Sequence, residues 1–526
     1  MTEDGATEHD IQYTHDGGGS LMVVGDVTTG TDVLVIGAGP AGYVAAIRAG
    51  QLDLDVTLVE KDAYGGTCLN YGCIPSKALI TATDVAHDAA TAEEMGIHAE
   101  PEIDLGEMMA WKDGVVDQLT GGVEKLCKAN GVTLLEGTAR FAGENTARVS
   151  HSGEGQGSES LEFEHAVIAT GSRPIEIPNF DFGDEPVLDS RQALALESVP
   201  DSIVVVGAGY IGMELASVFA KLGTDVTVIE MLDSILPGYD DDLKRPVKGR
   251  ATDLGIEFEF GYTASEWHER DGDDGIRVVA EPADNAAADG GGEASHASEQ
   301  ESGETASGAE AVEDERLELE AEKVLVAVGR QPVSDTLDLE EAGVETDDAG
   351  FVETDSRART NLEHIFAVGD VAGEPMLAHK GSAEGQVAAE VIAGEPAAID
   401  YQAMPAAVFT DPEIGTVGMT EPEAAEAGFE PVTGQFPFRA SGRALTTGDS
   451  DGFVKVVADE ESGYLLGASI VGPEASELIA ELGLAIELGA TLEDVAATVH
   501  THPTLSESVM EAAENALGHA IHTLNR

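Results

Sequence analysis

Two cysteines five positions apart carry the first chemical signal in this sequence. Cys68 and Cys73 lie in Gly65-Gly66-Thr67-Cys68-Leu69-Asn70-Tyr71-Gly72-Cys73-Ile74-Pro75-Ser76-Lys77, and if the segment starts as a helical turn their sulfurs fall on adjacent turns, within reach of a disulfide. The 526-residue chain has three cysteines in all, too few for a structural disulfide framework, so a close pair reads as redox-active or metal-binding. Zinc requires further soft ligands, and the third cysteine, Cys127, is remote in the helical stretch Leu126-Cys127-Lys128, where it reads as a small core or surface residue. Thiol–disulfide exchange runs through the thiolate. A free cysteine with a pKa of ~8.5 is mostly protonated at neutral pH, so a base belongs near Cys68. His502 in His500-Thr501-His502-Pro503 is the candidate, with Glu507 five positions on to orient its ring. A His-x-His pair also reads as a metal pair or a capped core histidine; the accompanying dithiol favours the base.

The elements that position these groups are announced by an internal repeat. Val33–Glu60 and Ile203–Glu230 each run through an apolar strand, a Gly-x-Gly-x-x-Gly turn, a small-residue helix and a second apolar strand ending in Glu. The first turn uses Gly37, Gly39 and Gly42, and the second Gly207, Gly209 and Gly212; the distances 60 − 37 and 230 − 207 are both 23 residues. A lone glycine pattern is weak, but the full strand–turn–helix–strand–acid order meets the conditions of a dinucleotide-binding fingerprint. The first Gly permits the tight turn and the second lets backbone approach a pyrophosphate. The third lets helix pack on strand, and the helix N-terminus attracts the phosphates. Glu60 and Glu230 would accept hydrogen bonds from an adenosine ribose, and a carboxylate at Glu230 repels a 2′-phosphate, so the second site should prefer NAD over NADP. A dithiol just after the first fingerprint reads best as one close to a flavin.

Composition sets the surroundings. The chain carries 27 Lys+Arg against 100 Asp+Glu, a formal net charge of −73, with 42% hydrophobic residues. There is apolar material for real cores, but a surface so negative repels phosphate backbones and anionic lipid, which argues against nucleic-acid and membrane partners. No apolar run is long enough for a membrane span, and Met1–Ser20 is polar and acidic where a secretion signal would be basic and then apolar, so the expectation is a cytoplasmic protein. Molar salt shrinks the Debye length to roughly 3 Å and screens such self-repulsion, which points to a halophilic cytoplasm. Residues 1–30 are expected as a mobile tail. Residues 281–316 hold 11 acidic residues, one basic residue and a single large aliphatic, Val312; this reads as a disordered surface excursion between strands at Ile276–Ala280 and Leu317–Glu320.

Taken together, these motifs resemble those of the pyridine nucleotide–disulfide oxidoreductases, and within them the branch that oxidises dihydrolipoamide. The resemblance runs from about Val33 to the C-terminus. It is carried by the Cys68–Lys77 segment, Ala169-Thr170-Gly171, Ala327-Val328-Gly329-Arg330, Ala367-Val368-Gly369-Asp370, Leu377-Ala378-His379-Lys380 and His500–Glu507. It implies an α/β fold with two Rossmann-like dinucleotide-binding domains, for FAD and NAD, and a C-terminal α+β interface domain. The expected divisions are a FAD-binding domain at 31–180, an NAD-binding domain at 181–330, a central region at 331–400 that completes the FAD site, and the interface domain at 401–526.

By the same resemblance, Cys68 would be the interchange thiol and Cys73 the thiolate against the flavin, with Lys77 near the flavin N5. Gly66, Thr67, Thr170 and Gly171 would line the FAD site; Asp370 would bond the ribityl chain with Ala378 nearby, and the backbone of Ala139 would meet the adenine. Glu214 would lie near flavin and nicotinamide, and Gly329 on the NAD side. Dihydrolipoyl groups would reduce the Cys68–Cys73 disulfide and electrons would pass through FAD to NAD+. Partners would be a homodimer mate and a lipoyl-bearing acyltransferase or glycine-cleavage carrier. The runners-up are a glutathione-reductase-like enzyme and a non-catalytic flavoprotein subunit. Glu230-Met231-Leu232-Asp233 lacks the cations that would hold an NADP phosphate, no cysteine follows Cys127 as in mercuric reductases, and Cys68 is present where soluble transhydrogenases lack it. Tyr210 departs from the lipoamide pattern, which has an aliphatic residue there.

Overall fold

The computed structural model describes residues 28–151, 157–270, 275–283 and 316–525. Residues 1–27 of the expected tail and 284–315 of the expected acidic excursion lie outside them. The chain divides into two compact units: Met1–Gly66, Thr120–Ser172 and Pro332–Ile399 form the first, and Thr67–Leu119, Arg173–Gln331 and Asp400–Arg526 the second.

In the first unit, the apolar run at Val33–Ile36 is the buried end of a longer strand, Thr28–Ile36. Its polar start, which the sequence assigns to the tail, is held by pairing Thr28–Thr31 with Ser160–Phe163; a ladder partner, not hydrophobicity, sets that boundary. The strand is flanked in parallel by Val56–Glu60 and Ser158–Ile168, and the sheet is extended in parallel by Thr133–Gly143 and Ile365–Ala367. Thr146–His151 joins Thr133–Gly143 to Ser158–Ile168 as an antiparallel meander. Covering both faces of a parallel sheet requires continuous apolar strands, and Val33, Leu34, Val35 and Ile36 are all buried. Helix Pro40–Gln51 presents a small-residue face of Ala41, Gly42, Ala45, Ala46 and Ala49. That face admits helix Ala378–Ile392 so closely that a Cβ on Gly385 would sit 2.4 Å from the Ala41 carbonyl oxygen. Arg48 closes the pair with two donors to one Glu390 oxygen, at 2.7 and 2.9 Å.

The second unit repeats the parallel sheet, in the order Glu257–Phe260, Asp225–Glu230, Ser202–Val206, Lys323–Val326 and Val187–Leu188. Beside it in sequence, Tyr262–Glu269, Ile276–Pro282 and Leu317–Ala321 form an antiparallel trio. The two strands expected to flank the excursion are thus hydrogen-bonded neighbours, with Ile276 opposite Ala321 and Ala280 opposite Leu317. The C-terminal part is a five-stranded antiparallel sheet ordered Ala406–Val408, Glu413–Gly418, Leu465–Gly472, Phe453–Asp459 and Pro431–Pro437. Helices Ala475–Glu487 and Glu507–Ala516 close on it at glycines: a Cβ on Gly415 would lie 2.5 Å from the Ala475 oxygen, and one on Gly434 2.2 Å from that of Ala512. Among the described residues no helix is long and apolar enough to cross a membrane.

Candidate functional site

The two fingerprint turns are built alike, atom by atom. Gly37 and Gly207 have φ of +100° and +101°, a region open to glycine. A Cβ on either would press against a following loop, 2.4 Å from the Ala169 oxygen and 2.6 Å from that of Ala327. A Cβ on Gly42 would lie 1.9 Å from the Gly37 oxygen and one on Gly212 2.0 Å from that of Gly207, whereas one on Gly39 or Gly209 would meet nothing within 4 Å. The middle glycine of each turn therefore fronts open space. It stands at the start of a 12-residue helix, Pro40–Gln51 or Tyr210–Lys221, whose first N–H groups no side chain caps. That is the arrangement that receives a pyrophosphate. Gly66 packs on the first turn, where a Cβ would come within 2.5 Å of the Gly39 Cα.

The acids that end the two repeats are fixed in matching ways that the spacing alone did not reveal. Glu60 accepts the Ala38 N–H at 2.7 Å and the Asp62 N–H at 2.8 Å; Glu230 accepts the Ala208 N–H at 2.7 Å and the Leu232 N–H at 2.9 Å. Each carboxylate ties its own strand end to the glycine turn and keeps further lone pairs for a ribose. The repeat also extends to the loops beneath: Ala169-Thr170-Gly171 abuts Gly37 as Ala327-Val328-Gly329 abuts Gly207, with Gly171 at φ +71° and Gly329 at +130°. Two Ala-x-Gly triplets, each after an apolar strand, were the available sequence signal.

Elsewhere in the first unit, Thr170 donates from Oγ1 to the Val333 carbonyl at 2.6 Å. Ser172 donates from Oγ to Asp370 at 2.5 Å. Asp370 lies on the short turn Gly369–Ala372, and Ala378 opens helix Ala378–Ile392. Ala139 is buried in the antiparallel half of Thr133–Gly143, opposite Val149. Cys127 is fully buried in helix Leu105–Ala129, and burial raises its thiol pKa to about 11, which makes it inert.

The dithiol belongs to the second unit. Its two cysteines do not share one continuous helix: Cys68 lies in the turn Gly66–Asn70, and Cys73 starts the separate helix Cys73–Thr91 after a break at Gly72 (φ −137°, ψ −109°). The break puts Cys73 at a helix N-terminus, where the macrodipole favours an anion. Neither cysteine is in a disulfide, and the Cys68 side chain hydrogen-bonds to Cys73. That bond is the main reason the Cys73 thiol sits at about 7; desolvation opposes it and the Lys77 charge, one turn along, assists. Cys73 keeps exposed surface even though the protein around its sulfur is dense enough for desolvation to count. Among the described residues no group of three or more His, Cys, Asp or Glu is arranged to hold a metal.

Lys77 is itself held. Its Nζ lies 2.6 Å from Glu214 Oε2 and 4.4 Å from the centre of the Phe409 ring, while the other oxygen of buried Glu214 accepts the Phe409 N–H at 2.9 Å. Glu214 thus faces the cysteine helix from the helix that follows the second glycine turn, Tyr210–Lys221. Sequence reading did not single out Phe409, which no motif marks. Nor did it find the ionic contacts further along the same helices, where buried Lys221 bonds Asp84 at 2.6 Å and Asp411 at 2.8 Å. Thr67 is exposed beside Cys68.

His502 and Glu507 meet as expected. Nδ1 of the ring lies 2.9 Å from Glu507 Oε1, and the other carboxylate oxygen accepts the Thr504 N–H at 2.9 Å. Burial at Glu507 opposes ionisation, but these two bonds outweigh it and hold the carboxyl below its ordinary pKa. An ionised carboxylate only accepts, so Nδ1 carries the proton and Nε2 keeps its lone pair. The His502 side chain is 80% exposed, and among the described residues its ring bonds to Glu507 and not to the dithiol.

Comparison with known proteins agrees with this geometry. Residues 31–385 match the family model described as pyridine nucleotide-disulphide oxidoreductase, and residues 404–513 match that family's dimerisation domain. A dihydrolipoyl dehydrogenase of Halobacterium salinarum is 69% identical over 505 residues, covering 96% of this chain and 100% of that one; its counterpart in Haloferax volcanii is 66% identical with the same coverage. Among solved structures, LpdA from Mycobacterium tuberculosis aligns at a TM-score of 0.80 and 26% identity over 92% of this chain and 99% of that one. The family and its dihydrolipoyl dehydrogenases use FAD and NAD(H). With a doubled dinucleotide turn, an activated dithiol and a family model matching well over half its length, the chain belongs to the pyridine nucleotide-disulphide oxidoreductases.

Proposed function

We propose that this chain oxidises protein-bound dihydrolipoyl groups with NAD+ through Cys68 and Cys73. The observation that carries the reading is the Cys73 thiol, hydrogen-bonded to Cys68 at a helix N-terminus and lowered to about 7. A dinucleotide suits either turn, because each leaves uncapped helix N–H groups in front of a glycine whose Cβ direction is open; the family resemblance assigns FAD to the first and NAD to the second. In this reading Gly37, Gly39, Gly42, Glu60, Gly66, Thr67, Lys77, Ala139, Thr170, Gly171, Asp370 and Ala378 serve FAD. Gly207, Gly209, Gly212, Glu214, Glu230 and Gly329 serve NAD.

The protein's part in the chemistry is thiol exchange. A substrate thiol gives its proton to His502 Nε2 and its sulfur attacks Cys68 of the Cys68–Cys73 disulfide; Cys73 leaves as thiolate, which its low pKa favours. The second substrate thiol then displaces Cys68, closing the lipoyl disulfide; the protonated His502 gives its proton to the departing Cys68 and takes up the one that the second thiol loses. FAD held at the first turn would supply the two-electron acceptor that lets the Cys68–Cys73 disulfide re-form, with NAD+ at the second turn as the final acceptor. Glu507 holds the tautomer of the neutral ring and stabilises the imidazolium once it forms.

A homodimer in which His502 serves the partner's dithiol fits two observations: the match of 404–513 to a dimerisation domain, and a base that is 80% exposed with Glu507 as its partner. The lipoyl group would arrive on an acyltransferase of a 2-oxoacid dehydrogenase complex or on a glycine-cleavage carrier, in the cytoplasm. Steady-state assay in molar salt tests the reading. Turnover with dihydrolipoamide and NAD+ is expected to exceed turnover with glutathione disulfide and NADPH by orders of magnitude, and the reverse order overturns it.

A further inference from the structure

Helix Ala378–Ile392 carries a buried ion pair that the chemistry above leaves unused. Lys380 and Glu384 stand one turn apart, 5% and 6% exposed, with Nζ 3.0 Å from Oε1. Two charges removed from water gain little net stability from each other, and apolar residues of similar volume often do as well. What distinguishes this pair is where its remaining hydrogen bonds go. Glu384 Oε2 accepts the Gly369 N–H at 2.8 Å, and Lys380 Nζ donates to the Gly373 carbonyl at 3.0 Å. Gly369 and Gly373 bracket the turn that carries Asp370. Both have left-handed backbone, φ +77° and +141°, so the loop belongs to no regular ladder.

A single ion pair therefore grips both ends of the Asp370 loop. The helix that bears it is in turn locked to the first fingerprint helix: Cβ atoms on Gly381 and Gly385 would lie 3.1 Å from the Ala41 Cβ and 2.4 Å from its carbonyl oxygen. We propose that Lys380 and Glu384 are positioning residues for FAD, setting the Asp370 carboxylate in register with the pyrophosphate turn. This rests on the assignment of FAD to the first unit.

The test uses the holoenzyme in molar salt and follows release of FAD after dilution by the rise of free-flavin fluorescence, with the flavin midpoint potential as a second readout. The double variant Lys380→Met with Glu384→Gln removes both charges together and strands neither. It is expected to release FAD at least tenfold faster and to move the potential. Asp370→Ala is expected to accelerate release to a similar degree, and adding the double variant to it is expected to change the rate less than twofold further, because both act through one carboxylate. Release within twofold of the parent in the double variant, or effects that multiply in the triple variant, overturns the proposal while leaving the FAD assignment intact. If Asp370→Ala leaves release unchanged, the FAD assignment of that residue fails and the proposal falls with it. Should the double variant not accumulate as folded protein, Glu384→Asp keeps the charge opposite Lys380 but draws the carboxylate back by one methylene from the Gly369 N–H; threefold faster release is expected, and an unchanged rate refutes the positioning role.

Discussion

The Cys68–Cys73 hydrogen bond makes a prediction that can be worked through in numbers. It is the leading cause of the depressed Cys73 pKa, about 7 against an ordinary value of 9.0, and burial pulls the other way. A hydrogen bond to a charged group contributes roughly 1.5–3 kcal/mol, equivalent to about 1–2 pKa units at ~1.36 kcal/mol each. Because Cys73 keeps exposed surface, water competes for the thiolate and the lower half of that range applies. Cys68→Ser retains an O–H donor, whereas Cys68→Ala removes it and leaves desolvation unopposed except by Lys77. Removing the donor should move the Cys73 inflection up by at least one unit, toward the free-thiol value near 8.5. At pH 7 the thiolate fraction would fall from about half to roughly 3%, a loss of about 15-fold in alkylation rate. Iodoacetamide labelling across pH 5–10 measures this cleanly, since each variant keeps one reactive thiol and buried Cys127, raised to about 11, stays silent. The sign is checkable as well: the stabilisation from the lowered pKa is full above the ordinary value of 9.0 and is lost as pH falls from there through about 7. If the Ser and Ala variants titrate within about 0.3 units of each other, the hydrogen bond is not what activates Cys73.

Three further outcomes follow from the same geometry. Cys68→Ser and His502→Ala should each nearly abolish activity, and refolding the two together should restore it, because a mixed dimer with the base in trans holds one intact site; an exchanged but inactive mixture refutes the shared site. Glu230→Ser with Met231→Arg should shift preference toward NADP(H) by removing a carboxylate and supplying a phosphate partner. It should also lower the unfolding midpoint, since the Ala208 and Leu232 N–H groups lose their acceptor at a cost of about 1–3 kcal/mol; a parent enzyme that already uses NADPH better than NADH overturns the role of Glu230. With a net charge of −73, activity and assembly should be lost below roughly a few tenths molar salt and retained at molar salt, and full activity over days in dilute buffer would sink that account.

The parts of this molecule that could be read before folding are those whose physics is local. A turn that must reach φ near +100° beneath a close carbonyl requires glycine at particular places, so Gly37, Gly42, Gly207 and Gly212 identify themselves by type and spacing. The His502–Glu507 pair is likewise only five positions apart, and the dithiol spans one short segment. The helix break at Gly72, which places Cys73 at an N-terminus, lay just beyond such reading, because Leu69-Asn70-Tyr71 does not distinguish one bent helix from two. The extent of strand Thr28–Ile36 lay further off: polar residues there are in sheet because Ser160–Phe163 comes alongside. Most remote were Lys77, Glu214 and Phe409, and likewise Asp84, Lys221 and Asp411, each trio drawn from three separate stretches of chain. No periodicity links such residues. They meet because entire elements pack side by side, and a 2.6 Å ion pair depends on every side chain that sets the spacing between those elements.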